Sequence, residues 1–294
     1  MTSLRQLQIF RAVARHLSYT HAAEQLNLTQ PAVFTQVRQL QNHVGSALIE
    51  RIGKRLFLTE AGEVVLATAH EVLDELDRMN MRLAELRGMA RGRLRVSVVS
   101  TAKYDIPRRL GDFCSMYPGI DVSLTVGNRE ELLARFAANE DDLYVLGTVP
   151  EGIDADWLQY AENPIVVIAP PDHPLAGKEN IQASELASEA FIMREKGSGT
   201  RIATERYFAG QGLAPTVRME LGANEAISEA VMAGLGVSVI SRGSARLELQ
   251  SGKLVELKVS GFPILRHWHV AWPTGKRISL GAEAFLKTLS SDKA

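Results

Sequence analysis

The sequence predicts an α/β chain in three parts: a small helical head that ends in a hairpin, one long helix, and a two-lobed α/β body. Three observations carry this. Between Leu4 and Leu58, three short stretches place apolar residues at helical spacing, and strand-like alternation follows around Gly53-Lys54. From Thr59 an apolar repeat advances in alternating steps of four and three as far as Leu86. Beyond it, short branched-apolar runs alternate with helical stretches.

In the head, Leu4, Leu7, Phe10, Val13 and Leu17 share one face of the first helix, and Ala22, Ala23 and Leu26 one face of the second. Val33, Val37, Leu40 and Val44 form the buried stripe of the third. Only Asn27-Leu28-Thr29 separates the second helix from the third, so the two must cross steeply, with Leu28 filling the corner. Thr29 is placed to cap the third helix, and Pro31 suits its first turn, where a missing N–H costs nothing. With the apolar stripe inward, Gln30, Phe34, Arg38 and Gln41 form an outward ridge, and Thr29, Pro31 and Thr35 belong to the same surface. Amides and a guanidinium at that spacing match the donor and acceptor edges of bases in a major groove. The hairpin of residues 47–58 carries a basic tip, where Lys54 and Arg55 suit phosphates and Arg51 suits either phosphate or the hairpin itself. Together these are the parts of a winged helix-turn-helix that reads DNA. A bare three-helix bundle with a solvated basic face is the alternative.

Charge supports the DNA reading locally. The whole chain has a net charge of −1. Residues 1–58 nevertheless hold seven basic side chains against two acidic ones, a net +5, so the phosphate attraction is concentrated in the head. The 294 residues, 46% hydrophobic, provide for two or three units with real cores. A single cysteine, Cys114, excludes a disulfide framework and a multi-cysteine metal site; its place on a helical apolar face predicts that it is core. Arg5, Gln6, Gln8 and Arg11 interrupt any signal-peptide centre, and no apolar run approaches the ~20 residues of a membrane span, so a cytoplasmic chain without membrane contact is expected.

The long helix has Thr59 as its cap and Glu60 and Glu63 in its first turn, where acids complement the dipole. Val65, Ala69, Val72, Leu76, Met79, Leu83 and Leu86 form its heptad seam. At 1.5 Å per residue the helix would extend about 45 Å. Such a stripe can pack on its own domain, but its length and regularity predict pairing with a second copy. Pairing also suits the head, because two heads read a dyad-related site where one reads too few base pairs.

In the body, strands are predicted at 94–99, 121–126, 143–146, 165–169, 190–193, 217–221, 237–240 and 254–259, with helices at 106–117, 130–138, 202–209 and 225–233. Alternation of this kind predicts parallel sheets covered on both faces, with ligands at the carboxyl ends of the strands. Ser100-Thr101 and nearby Lys103, Asn128-Arg129, Thr200-Arg201 and Gly222-Ala223-Asn224 fall at such strand-to-helix turns. Each polar group there can simply cap its own helix. Four such turns in one body predict a cleft for a small anion.

Other motifs carry less. Gly197-Ser198-Gly199 lacks the spacing of a nucleophile elbow, and Gly234-Leu235-Gly236 is not a full dinucleotide fingerprint. His267 and His269 would share one face if extended, without a further ligand cluster. No catalytic constellation assembles, so an enzyme is not expected, and neither a metal nor a cofactor is required.

Ala22-Ala23-Glu24-Gln25-Leu26, Thr29-Gln30-Pro31-Ala32-Val33 and Leu58-Thr59-Glu60-Ala61-Gly62 closely resemble the LysR-type transcriptional regulators. Asp172-His173-Pro174-Leu175 and Ala233-Gly234-Leu235-Gly236-Val237 resemble pieces of that family's effector domain. Ser100-Thr101-Ala102-Lys103-Tyr104, Val126-Gly127-Asn128-Arg129-Glu130 and residues 138–143 are similar to the subgroup that regulates carbon-dioxide-fixation (RuBisCO) operons. The resemblance implies a winged helix-turn-helix at 1–58, a linker helix at 59–90 and an effector domain at 91–294 similar to periplasmic binding proteins. It divides that domain into lobe I (91–162 and 268–294) and lobe II (163–267), with hinge strands near 161–164 and 265–269. It further implies dimers that pair into tetramers, an interrupted dyad operator on double-stranded DNA, and an effector between the lobes. In the subgroup the effectors are phosphorylated metabolites or NADPH; a carboxylate also fits the predicted cleft. Ser100, Thr101, Lys103, Asn128, Arg129, Thr200 and Arg201 are the expected effector contacts. RNA polymerase is a further partner open to a regulator of this kind. One departure bears on the operator: many relatives carry serine where Phe34 stands and a basic or polar residue at Thr35, and Phe34 suits a thymine methyl.

Three function classes compete: a ligand-responsive transcription regulator of a carbon-fixation or other metabolic operon, a small-molecule-binding protein, and an α/β enzyme. The basic head favours the first.

Overall fold

A computed structural model describes residues 2–86 and 92–291. They fall into two compact units, the N-terminal segment through Gly92 and nearly all that follows. In the first, α1 (Leu4–His16) opens with a capping box: the Ser3 hydroxyl accepts from the Gln6 N–H at 3.2 Å, and Gln6 Oε1 accepts from the Ser3 N–H at 3.0 Å. α2 (Tyr19–Leu26) opens at Ser18 and ends at Asn27, whose φ of +52° is the left-handed conformation asparagine tolerates. α3 (Gln30–Val44) follows. β1 (Ile49–Ile52) and β2 (Arg55–Leu58) pair antiparallel, with Ile52 opposite Arg55, so Gly53-Lys54 is a two-residue turn; Gly53 supplies its φ of +63°. Phe10, Val13, Ala22, Val33, Val37, Leu40 and Leu48 are fully buried in the core of this head, whereas Leu4, Leu17 and Val44, at or just beyond helix ends, are exposed.

α4 (Glu60–Leu86) shares its expected seam with the head. Ala69 and Leu73 are buried in the head's own core, and Val65, Val72 and Leu76 pack against it. Four of the seven expected seam positions therefore serve the head, where α4 lies on α1. Met79 and Leu83 stay exposed, and the Leu86 side chain lies outside the described residues, as do residues 87–91. An apolar period shows that a helix has a partner, not which partner.

The second unit begins with β3 (Gly92–Val99), α5 (Ile106–Met116), β4 (Ile120–Gly127), α6 (Arg129–Ala137), β5 (Leu143–Leu146) and β6 (Ala155–Glu162). The chain then crosses to β7 (Ile165–Ala169), α7 (Ala183–Ala187), β8 (Ala190–Arg194), α8 (Gly199–Ala209), β9 (Thr216–Leu221), α9 (Asn224–Met232), β10 (Ser238–Ser241), α10 (Arg246–Gln250) and β11 (Val255–Glu256). It returns through β12 (His267–Pro273) to α11 (Leu280–Ser291). The first lobe holds a five-stranded sheet in the order β4-β3-β5-β12-β6. The second holds β10-β7-β11 and the pair β8-β9, joined by a bridge between Phe191 and Val237. Separate cores fill them, around Phe113, Tyr144 and Phe285 in the first lobe and around Phe191 and Phe208 in the second.

The expectation of parallel sheets needs correction. β3–β5 and β8–β9 are parallel, but β12 runs antiparallel to β5 and β6, and β10 and β11 antiparallel to β7. The strands that cross between lobes cause part of this, since β6 and β12 enter the first sheet from opposite directions. They pair as they cross: the Asn163 N–H donates to the Arg266 carbonyl at 2.7 Å, and Ile165 and Ile264 exchange bonds of 3.0 and 2.9 Å. His267 already pairs with Glu162, so the first lobe's sheet begins one residue before 268. Cys114 is exposed, not core, because the buried face of α5 runs through Ile106, Leu110 and Phe113. No described helix is long and apolar enough to cross a membrane, and no described cluster of His, Cys, Asp or Glu is placed to hold a metal.

Candidate functional site

On the head, the outer face of α3 carries Gln30, Phe34, Thr35 and Arg38, all exposed, with Thr29 and Pro31 exposed at its start. Thr29 occupies the cap position without a side-chain bond to the helix, and Thr35 Oγ1 donates to the Pro31 carbonyl at 2.8 Å. Gln41 does not belong to the ridge. Its Oε1 accepts from the Leu48 and Ile49 N–H groups at 2.9 and 3.3 Å, tying α3 to the base of the hairpin. Arg51 Nε donates to the Gly53 carbonyl at 3.0 Å and braces the turn. Lys54 and Arg55 are exposed beside it, with no partner among the described residues. Rigid placement beside free cations suits backbone contact, while the exposed Gln30 and Arg38 suit base edges.

In the second unit a cleft of about 390 Å³, including its open mouth, lies between the lobes. Ser100, Thr101, Asn128, Arg129 and Thr200 line it as the sequence suggested. Asn128 serves two purposes. Its Oδ1 accepts from the Glu131 N–H at 2.9 Å and caps α6, while the residue also lines the cleft. Ser198 occupies the cap of α8 in the same cleft, so two helix N-termini meet there, one from each lobe.

Two expected contacts are elsewhere. Lys103 pairs with Glu225 at 2.7 Å and sits 5.3 Å over the Tyr104 ring. Arg201 is held by Glu205 at 2.7 Å, by Glu220 and by the Arg194 carbonyl at 3.0 Å. Arg201 is neutralised by carboxylates of its own lobe and Lys103 by Glu225 of the other lobe, which a reading of turns alone does not reveal.

Two other arginines, Arg194 and Arg266, line the cleft. Arg194, only 2% exposed, donates to Ser100 Oγ at 2.9 Å, to Asn224 Oδ1 at 2.8 Å and to the Glu195 carboxylate at 2.7 and 2.8 Å. It ties the end of β8 to the turn after β3, one lobe to the other. Arg266 lies in the crossing segment, where its guanidinium donates to the Gly199 carbonyl at 3.2 Å and to Thr148 Oγ1 at 2.6 Å. Burial, with the positive charges of Arg129 and then Arg206, pushes it down to about 10. Arg129 is also held below its usual range, by burial and by Arg206. No carboxylate pairs with Arg266 or Arg129 among the described residues. A Cβ at Gly147 would stand 3.0 Å from Arg266 Nη2 and 3.2 Å from Asn163 Nδ2, so the wall is glycine where the guanidinium needs room. No periodic pattern marks Arg194 or Arg266 in the sequence; their place follows only from where the chain crosses.

Residues 4–63 match the family model of the bacterial regulatory helix-turn-helix protein, lysR family, and residues 87–293 match that of the LysR substrate binding domain. A RuBisCO operon transcriptional regulator of Acidithiobacillus ferrooxidans is 48% identical over 292 residues, covering 99% of this chain and 94% of that protein. The HTH-type transcriptional activator CmpR of Synechocystis is 44% identical over 287 residues, covering 98% of this chain and 94% of its own. Among solved structures, the regulatory domain of Synechocystis CcmR in complex with 2-PG is 48% identical, with a TM-score of 0.66 over 68% of this chain and 96% of that one. A helix-turn-helix whose outer face carries exposed polar groups, followed by a two-lobed body whose cleft holds guanidinium groups, two of them without a paired carboxylate among the described residues, thus agrees with both family models: the chain belongs to the LysR family of transcriptional regulators.

Proposed function

We propose that this regulator reads a dyad operator through Gln30, Phe34 and Arg38, with Lys54 and Arg55 on phosphates, and that a small anion held between the lobes alters that binding. Residues 1–58 do the reading, α4 joins two copies, and residues 91–294 carry the effector. Relatives named for RuBisCO operons support targets among carbon-fixation genes, and the complex of CcmR with 2-PG supports an effector of that kind. Such a protein works in the cytoplasm, as dimers that pair into tetramers.

The pair Arg266 and Arg129 carries the effector reading. Two like charges brought together, partly out of water, without a carboxylate are unfavourable unless an anion joins them. The N-termini of α6 and α8 add oriented N–H groups from either side. An anion reached from both lobes favours the closed arrangement, and a ligand shifts an equilibrium only through such differential affinity.

Calorimetry of the full chain with 2-PG tests this. Hydrogen bonds to charged groups contribute roughly 1.5–3 kcal/mol, so Arg266→Met should weaken binding about tenfold or more. Thr101→Val, which removes a buried hydroxyl but keeps its shape, should weaken binding less and blunt the effector response. Basal DNA binding should survive in both. Absence of binding by 2-PG and by other phosphorylated or carboxylate anions, or unaltered affinity in both variants, would sink the assignment. A gene deletion that leaves carbon-fixation transcripts unchanged would remove the proposed targets.

A further inference from the structure

The geometry points to Tyr19 and Phe34 as a rigid apolar shelf that recognises the C5-methyl group of thymine, with Tyr19 as the positioning residue. This rests on α3 being the reading helix. Phe34 is 46% exposed, while the neighbouring stripe of Val33, Val37 and Leu40 is fully buried. The head's core therefore does not use its ring, and leaving a phenyl half in water is unfavourable unless something covers it.

The ring is not loose. Tyr19 meets it edge-to-face, with centroids 5.3 Å apart and planes at 66°. Tyr19 itself packs on the head's core and opens α2, next to the Ser18 cap. A ring that touches the core thus holds a ring that faces out.

The neighbours identify what covers it. Gln30 and Arg38 lie one turn to either side of Phe34, exposed and without partners among the described residues, and both offer hydrogen bonds. Phe34 offers none. Of the features that base pairs display in a major groove, the thymine methyl is the apolar one. The net +5 of residues 1–58 selects a duplex over a second, equally basic head as the occupant.

The experiment begins with a duplex selected by the full chain from a random library. Each thymine is replaced singly by deoxyuridine, which deletes only the methyl, and affinity is read by fluorescence anisotropy. Wild type should show one position per half-site where the loss is about fourfold, the effect of unburying one methyl-sized group. Phe34→Ser should erase that sensitivity. Tyr19→Ala should bring the thymine-to-uracil ratio near one, and Tyr19→Phe, which keeps the ring, should restore it.

A flat uracil scan on wild type, or a Phe34→Ser protein that keeps the sensitivity, would overturn the shelf. Failure of the underlying reading looks different. If Gln30→Ala and Arg38→Ala leave discrimination between selected and random duplex intact, α3 does not read bases and the shelf falls with it. Discrimination that those two variants lose, together with a flat uracil scan on wild type, removes the shelf alone.

Discussion

Gly62 shows how much one atom decides. A Cβ there would lie 2.1 Å from the Leu48 carbonyl oxygen, which already accepts the Thr59 N–H at 3.1 Å. Thr59 adds a second tie, its Oγ1 donating to the Ala47 carbonyl at 2.6 Å and accepting from the Gly62 N–H at 3.0 Å. The start of α4 is thus docked backbone to backbone on the base of the hairpin. Gly62→Ala should cost about 1–3 kcal/mol by overpacking and weaken DNA binding. Gly111, inside α5, has nothing within 4 Å of a built Cβ, so Gly111→Ala should stabilise by about 0.5–1 kcal/mol through helix propensity. Urea midpoints for the two variants should move in opposite directions; a shared direction would contradict the contact argument. The sequence run Thr59-Glu60-Ala61-Gly62 marks this turn, but the reason for its glycine is a carbonyl fourteen residues earlier in the chain. Gln41 teaches the same lesson. Its spacing put it on the reading face, and only the position of the Leu48 and Ile49 N–H groups reveals that its amide is used inward.

At the scale of elements, legibility followed the strength of local pattern. The helices of the head, the hairpin turn and β3, β5 and β7 announce themselves through period, caps and branched residues. β6, with Asp156, Gln159 and Glu162 among its eight residues, has no such signal and is a strand because it pairs along β12. β12 likewise has no branched-apolar run to mark it, and a strand near 265–269 is expected only from the family resemblance. Within it, His269 pairs with Leu146 and sets its ring against Trp157, at 5.1 Å between centroids. Burial, more than the nearby His267 and Arg266, holds its pKa below the ordinary histidine value of 6.5. The sign of the consequence is fixed. Above pH 6.5 both folded and unfolded chains carry it neutral; as pH falls below that value the unfolded chain takes up the proton first, so stability drops. His269→Phe should therefore flatten the loss of thermal stability between about pH 6.5 and 5. A melting temperature that falls just as steeply in the variant would place the acid sensitivity elsewhere.

At the scale of the molecule, the division of α4 decides how its role in assembly can be tested. Its first half is committed to the head through Ala69 and Leu73, so a charge placed near there, at Leu76 for example, would disturb the head's core as well as any interface. Met79 and Leu83, 48% and 46% exposed and four residues apart, share a face outside that core. In the proposed pairing, these exposed apolar residues one turn apart are the part of the repeat left for a second copy. Two copies would matter because a lone reading helix reaches only a few base pairs, and dyad symmetry doubles the contacts without new chemistry. Leu83→Lys would set two ammonium groups against each other at a paired seam while leaving the head intact. Sedimentation should then show a smaller species, with affinity for the selected duplex reduced to that of a lone head and the head's circular dichroism unchanged. An unaltered sedimentation coefficient would move the assembly surface off α4 and onto the body.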